Sequence, residues 1–251
     1  MNRGSETMHR QMSSMSKMTV KQSRKGWCQE LFLGCEAKSK FKYLTEDKQE
    51  FATSLEDSDC LLRICCAPIR PFTMEVKEVE SEAEILTMHR PCACQVGACK
   101  CCCHQSMTFK SGEDKIGKIE EQYFYCVPVF KIYDHKGDFI YKVHPPTCCG
   151  GCCVNCFTEG NPCGKGCCKV PFHIFKSSQD ETDGDAPYAG KIVKVPKSLA
   201  AELFTDAEAF DISFPEDASN EQKAMIMGTA IFLNANFFEG QERRERSADT
   251  A

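Results

Sequence analysis

The stretch from Ser219 to Gly240 limits the fold more than any other part of the chain. Ala224, Met225, Ile226, Met227, Ala230, Ile231, Phe232, Leu233, Ala235, Phe237 and Phe238 cover every side of a helix rather than one stripe, so something must surround it. Ser219 with Gln222 three residues on gives a capping-box signature, Glu221 sits near the positive end of the dipole, and Gly240 supplies a left-handed stop. Residues 224–238, at about 1.5 Å each, reach roughly 22 Å, short of a hydrocarbon layer about 30 Å thick. Asn234 and Asn236 lie inside the run, where unpaired amides are costly in lipid. The expectation is a helix over 220–239 in a protein sheath, with Ala224 and Gly228 as small residues that let the sheath come close. The alternative is a spanning helix that uses the same pair as a packing seam.

The chain before the helix reads as sheet. Short alternating runs mark strands at Phe41–Thr45, Phe72–Val79, Glu84–His89, Met107–Lys110, Lys115–Ile119, Val129–Tyr133, Asp138–Val143, Phe172–Phe175, Lys191–Val195 and Phe210–Phe214, and Ser198–Phe204 reads as a short helix. His135-Lys136-Gly137-Asp138 between two alternating runs is a hairpin turn. Many strands followed by one all-round apolar helix predict a mainly β fold, a closed barrel filled by that helix, because closure removes sheet edges and leaves an apolar lumen to fill.

Composition narrows the function. A net charge of −5 and a pI near 5.8 argue against a general nucleic-acid surface, so no nucleic acid is expected as a partner. The first thirty residues lack the apolar core of a signal peptide and carry Arg3, Arg10, Lys17, Lys21, Arg24 and Lys25. The twenty cysteines are therefore expected to stay reduced, which asks for metal, lipid or redox chemistry. Residues 1–26, rich in Met, Ser and Lys, read as a flexible basic arm, residues 27–240 as the barrel, and residues 241–251 as a charged tail. The arm's cations would each gain about 1 kcal/mol beside anionic lipid; a solvated tail is the plainer reading.

Several motifs together resemble the phospholipid scramblase family. They are Glu56-Asp57-Ser58-Asp59-Cys60, Arg63, Cys65-Cys66, Pro68, Arg70-Pro71-Phe72, Arg90-Pro91, the cysteine cluster ending at Cys103, Gly190-Lys191-Ile192-x-Lys194, Phe204 through Phe210, Phe214-Pro215, Lys223 through Gly228, and Phe237-Phe238-Glu239. The resemblance covers roughly residues 30–240. It implies a tubby-like barrel of about twelve strands around the C-terminal helix. It also implies calcium-modulated, ATP-independent movement of phospholipids between leaflets, attachment by palmitate to the cytoplasmic side of a membrane, most simply the plasma membrane, and in some members a nuclear pool. The resemblance does not extend to the family's long proline-rich arm, so binding to WW or SH3 partners through it is not carried over, and protein partners stay open.

Cys99, Cys101, Cys102 and Cys103 occupy the family's palmitoylated position; adjacent thiols on an exposed turn suit an acyltransferase, which needs reach rather than a shaped pocket. Asp206 to Asp217 matches the family's calcium segment, with Asp206, Glu208, Phe210, Ile212, Phe214 and Asp217 at the ligand positions of an EF-hand-like loop. Phe210 offers no side-chain oxygen and Asp211 stands where glycine is wanted, so any calcium is expected to bind weakly, at roughly 0.1–1 mM, and an acidic loop leading into a strand is the alternative. Cys149, Cys152, Cys153, Cys156, Cys163 and Cys167 have spacings that suit tetrahedral zinc, without support from the resemblance; extra acylation sites or an unliganded hairpin compete with it. Lys191, Lys194 and Lys197 fit a nuclear-import signal or the wet face of a strand. No nucleophile–base pair or nucleotide loop is visible, so covalent catalysis is not expected. The sequence thus points to a membrane-attached scramblase acting on a phospholipid membrane, against a non-transporting adaptor that senses lipid or metal.

Overall fold

The computed structural model describes residues 3–23, 38–59, 61–62, 69–93, 104–124, 126–148, 151–155, 170–178, 187–195 and 209–238. Twelve strands close into one barrel in the order β1 (Lys17–Ser23), β14 (Ala209–Ser213), β13 (Gly190–Val195), β12 (Val170–Lys176), β9 (Phe139–His144), β8 (Phe130–Asp134), β7 (Asp114–Glu121), β6 (Ser106–Ser111), β5 (Glu84–Arg90), β4 (Phe72–Glu78), β3 (Glu50–Asp57) and β2 (Lys40–Leu44). β2 pairs back onto β1, and every pairing is antiparallel, so the sheet has no free edge. A two-stranded hairpin, β10 (Thr147–Cys148) with β11 (Cys153–Val154), stands apart from the barrel. Alternation aims one face of each strand inward: Phe72, Met74 and Val76 of β4, and Phe130 and Ile132 of β8, are all buried.

The helix α1 (Arg3–Ser13) lies at one end of this barrel, and α2 (Asn220–Leu233) runs through it. The capping box at Ser219 and Gln222 is formed, each side chain bonding the other residue's backbone N–H. From Lys223 to Leu233 every residue is buried, as a helix apolar on all sides requires. The wall meets it around its circumference. Gln222 accepts from the Tyr141 hydroxyl of β9 at 3.1 Å, Met225 packs at Gly117 of β7, and Gly228 lies against Phe109 of β6 and Met88 of β5. Phe232 stands edge-on to Phe130 of β8, with ring centroids 5.7 Å apart. A π-helical turn, Asn234–Phe238, continues the rod and sets Phe238 against Phe172 of β12 and Phe210 of β14. The sheath is therefore protein, and among the described residues no helix is long and apolar enough to cross a membrane.

One expectation is corrected. Residues 3–23 are not a flexible arm but α1 and the first barrel strand, so the barrel begins at Lys17 rather than at residue 27. Gly4, Met8 and Met12 recur at helical spacing, and both methionines are fully buried. Arg10 bonds Glu78 at 2.5 Å, Gln11 donates to the same carboxylate, and the ammonium of Lys223 donates to the Met12 carbonyl at 3.0 Å. In β1 Met18, Val20 and Gln22 point inward. Every strand expected from the sequence is present, with ends shifted by a residue or two, and β1, β3 and the β10–β11 pair are added to them. The short helix expected at Ser198–Phe204, the stop at Gly240 and the tail 241–251 lie outside the described residues.

Candidate functional site

The connection that holds the main cysteine cluster leaves the barrel at Arg90, the last residue of β5, and returns at Ser106, the first of β6. These strands pair only from Thr87 to His89, so their ends need another tie. Gln105 provides it. Its amide oxygen accepts from Arg90 Nη2 at 2.7 Å and Nε at 3.2 Å, its amide nitrogen donates to the Ala93 carbonyl at 2.9 Å, and its backbone N–H reaches Glu121 Oε2 at 3.3 Å. Arg90 Nη2 also donates to Asn236 Oδ1 at 2.7 Å, which ties the mouth of the connection to the end of the central helix. Arg90 is completely buried, and a guanidinium at that depth is tolerated only with such partners.

The neighbouring strand ends repeat the theme. Arg70 forms a two-pronged pair with Glu56, at 2.7 and 2.8 Å, with both side chains almost wholly buried. Burial by itself would raise the Glu56 pKa, but the hydrogen bonds and charge of Arg70, helped by Ser58 and Ser39, hold it below the ordinary carboxylate range. The guanidinium carbons of both Arg70 and Arg90 lie 5.8 Å from the Phe72 ring centroid. Glu56, Arg70, Phe72 and Arg90, which carried separate motifs in the sequence, thus converge on one end of the barrel. Their common task is structural: they fix the strand ends from which the cysteine-bearing connections leave.

Of the acylation candidates, Cys99, Cys101, Cys102 and Cys103 lie outside the described residues, flanked by the pinned Ala93 and Gln105. Of the calcium candidates, Asp206 and Glu208 lie outside them too. The described half of that segment does not have the form of an EF-hand loop. Phe210 and Ile212 belong to β14, which pairs with β1 on one side and β13 on the other, and both side chains point into the core. In a strand flanked on both sides each carbonyl is directed into one ladder or the other, not at an ion. Phe214 is buried and donates its N–H to Ser16, while Asp217 pairs with Lys176 at 2.7 Å.

Of the zinc candidates, Cys152 and Cys153 are exposed on the β10–β11 hairpin, whose turn uses Gly151 at φ +85°. Cys149, Cys156, Cys163 and Cys167 lie outside the described residues. Among the described residues no three Cys, His, Asp or Glu side chains converge as metal ligands. Lys191 and Lys194 lie on β13, and Lys194 is buried with its ammonium 3.8 Å from the Phe238 ring centroid, so it is not part of a wet basic strip. Sequence reasoning did not find the Gln105 hub; the signal available was the pair of amides, Asn234 and Asn236, placed in an apolar helix where they required partners.

Comparison with known proteins bears on this arrangement. The family model described as Scramblase matches residues 2–159 and 160–240. Human phospholipid scramblase 1 is 30% identical over 220 residues, covering 87% of this chain and 62% of the relative. Bovine phospholipid scramblase 2 is 28% identical over 211 residues, covering 84% of this chain and 64% of the relative. Human phospholipid scramblase family member 5 is 26% identical over 211 residues, 83% of this chain and 69% of the relative. The chain thus spans less than two thirds of the length of the first two. No solved structure matches it.

Proposed function

From its membership of the phospholipid scramblase family, to which this chain belongs, we propose that the protein moves phospholipids in both directions between membrane leaflets without ATP, held to the cytoplasmic face of the plasma membrane by acylated cysteines. The observation that supports this reading most is the pinned connection between Arg90 and Ser106. Ala93 and Gln105, the described residues on either side of the thiols in the sequence, are both tied to the barrel, and acylation of thiols between two such points asks only for an acyltransferase's reach. Each buried methylene of an acyl chain contributes about 0.8 kcal/mol, and stable attachment takes more than one chain; four neighbouring thiols supply that without a spanning helix.

The enclosure of α2 constrains the mechanism. Because Lys223–Leu233 are buried beneath the strands and α1, a polar headgroup does not travel along the helix, and movement of lipid proceeds at the outside of the barrel, where acyl attachment presses protein against the bilayer. The same enclosure favours a second reading, a membrane-attached adaptor that moves no lipid.

One experiment separates the two. The acylated full chain is reconstituted into liposomes with a fluorescent phospholipid, and a membrane-impermeant reductant is added. Scrambling exposes label from both leaflets, so quenching goes beyond the outer-leaflet fraction. Quenching that stops at that fraction, in vesicles shown to carry the protein, leaves the adaptor. A variant with Cys99→Ser, Cys101→Ser, Cys102→Ser and Cys103→Ser is expected to lose most acyl-exchange signal and its membrane fraction.

A further inference from the structure

Antiparallel strands send alternate connections to opposite ends, so the barrel has two chemically separate rims. At one rim lie the connections β2–β3, β4–β5, β6–β7, β8–β9, β12–β13 and β14–α2, together with α1. Each of these six carries at least one carboxylate, among them Glu46, Glu80, Glu113, Asp138 and Glu216, and none carries a cysteine. At the opposite rim lie β1–β2, β3–β4, β5–β6, β7–β8, β9–β12 and β13–β14. All twenty cysteines of the sequence fall within the first five of these, and none falls in a barrel strand.

Two large apolar side chains of the second rim stand in water. Leu61 in β3–β4 is 70% exposed and Tyr123 in β7–β8 is 49% exposed. Cys92, Cys126, Cys152 and Cys153 are exposed on the connections β5–β6, β7–β8 and β9–β12, and the connections bearing these six residues follow one another around the barrel. The exposed cysteines collect on one rim, every connection of the other carries a carboxylate, and exposed apolar side chains occur on both, Val79 and Tyr188 lying on the carboxylate rim.

We propose that the barrel stands end-on to the membrane, with the cysteine rim that carries Leu61, Cys92, Tyr123, Cys126, Cys152 and Cys153 seated in the headgroup layer and the carboxylate rim with α1 directed into the aqueous phase. The occupant of the rim is a phospholipid bilayer. Two arguments select it. Acyl chains on any of the five connections pull the same end toward the bilayer, so they act together only in this pose. An anionic leaflet repels the carboxylate rim and so disfavours the reverse pose. Tyr123 is suited to a headgroup depth, having an apolar ring and a polar tip. The proposal rests on membrane attachment as proposed for the function and adds the face and the orientation.

The test places a single tryptophan at either end of the acylated full chain, in a Trp27→Phe background: Tyr123→Trp at the cysteine rim and Tyr188→Trp at the carboxylate rim. Each protein is mixed with vesicles of phosphatidylcholine and phosphatidylserine, with or without brominated acyl chains, and co-sedimentation is recorded alongside fluorescence. Bromine is expected to quench Tyr123→Trp and leave Tyr188→Trp unchanged. Equal quenching of the two, quenching of Tyr188→Trp alone, or no quenching in protein that sediments with the vesicles overturns the orientation while keeping attachment. Protein that stays in the supernatant overturns attachment, and the orientation with it. As a second measurement, Leu61→Asp with Tyr123→Asp is expected to weaken vesicle binding several-fold while Val79→Asp at the other rim leaves it unchanged; equal effects of the two overturn the proposal.

Discussion

His144 ends β9 inside the wall, its ring stacked on Phe175 with centroids 4.6 Å apart and its Nδ1 2.7 Å from the Pro145 carbonyl. Burial is the main cause that pushes its pKa down to about 4, with the charges of Lys142 and His173 adding to it and the Pro145 hydrogen bond opposing it. The folded protein therefore binds fewer protons here than the unfolded chain between the ordinary value of 6.5 and about 4. Stability is full above that window and drains as pH falls through it, by about 2 kcal/mol between pH 6.5 and 5. Glu56 does not interfere, since its lowered pKa keeps its contribution intact until the pH drops to the carboxylate range. Urea unfolding at pH 7 and pH 5 should show this loss in the parent chain and little of it in His144→Phe; an unchanged difference in that variant would place the titration elsewhere.

The elements fit because two glycines let α2 and the wall touch. A Cβ on Gly117 would run into Met225 Sδ and the Tyr133 carbonyl, and one on Gly228 into the Phe109 ring, with Met88 Sδ 3.1 Å away. Alanine at Gly117 is expected to cost about 1–3 kcal/mol, because a strand carbonyl cannot step aside as a side chain can. Gly228→Ala gains up to about 1 kcal/mol of helix propensity, so its net loss should be smaller; denaturant midpoints of the two variants give the order, and a neutral Gly117→Ala would mean the contact is loose. Gly228 was legible as a small residue in an apolar helix, but its partner in the wall was not. β3 shows why some strands escaped notice. Phe51 and Ala52 are buried as expected, but the strand then turns Ser54 and Glu56 inward and leaves Leu55 54% exposed, so over its second half polarity runs opposite to burial. The inward polar atoms are satisfied by the Tyr43 hydroxyl at 3.0 Å and by Arg70, partners distant in sequence that no local pattern reveals.

At the scale of the whole molecule, the sheathed helix and the closed sheet were legible because all-round apolarity and period-two alternation admit few other solutions. The site was legible only as a cluster of thiols; its fixing by Arg90, Gln105 and Asn236 depends on residues that meet only in the folded state. The N-terminal segment was misread because its buried face is built from Met8, Met12 and small residues, which look like the methionine- and serine-rich composition of a loose arm. That difference has a measurable consequence. Substitution in a loose arm leaves stability within about 0.5 kcal/mol. As the lid over the N-terminal end of α2, α1 instead buries Met8 and Met12 completely and supplies the carbonyl that holds the ammonium of Lys223. Met12→Ala should therefore cost about 2–5 kcal/mol in equilibrium unfolding, as removal of a fully buried side chain does in a close-packed core. Ser13→Ala, at the exposed end of the same helix, serves as the control and should change little. A Met12→Ala variant as stable as that control would mean that α1 does not close the barrel in solution.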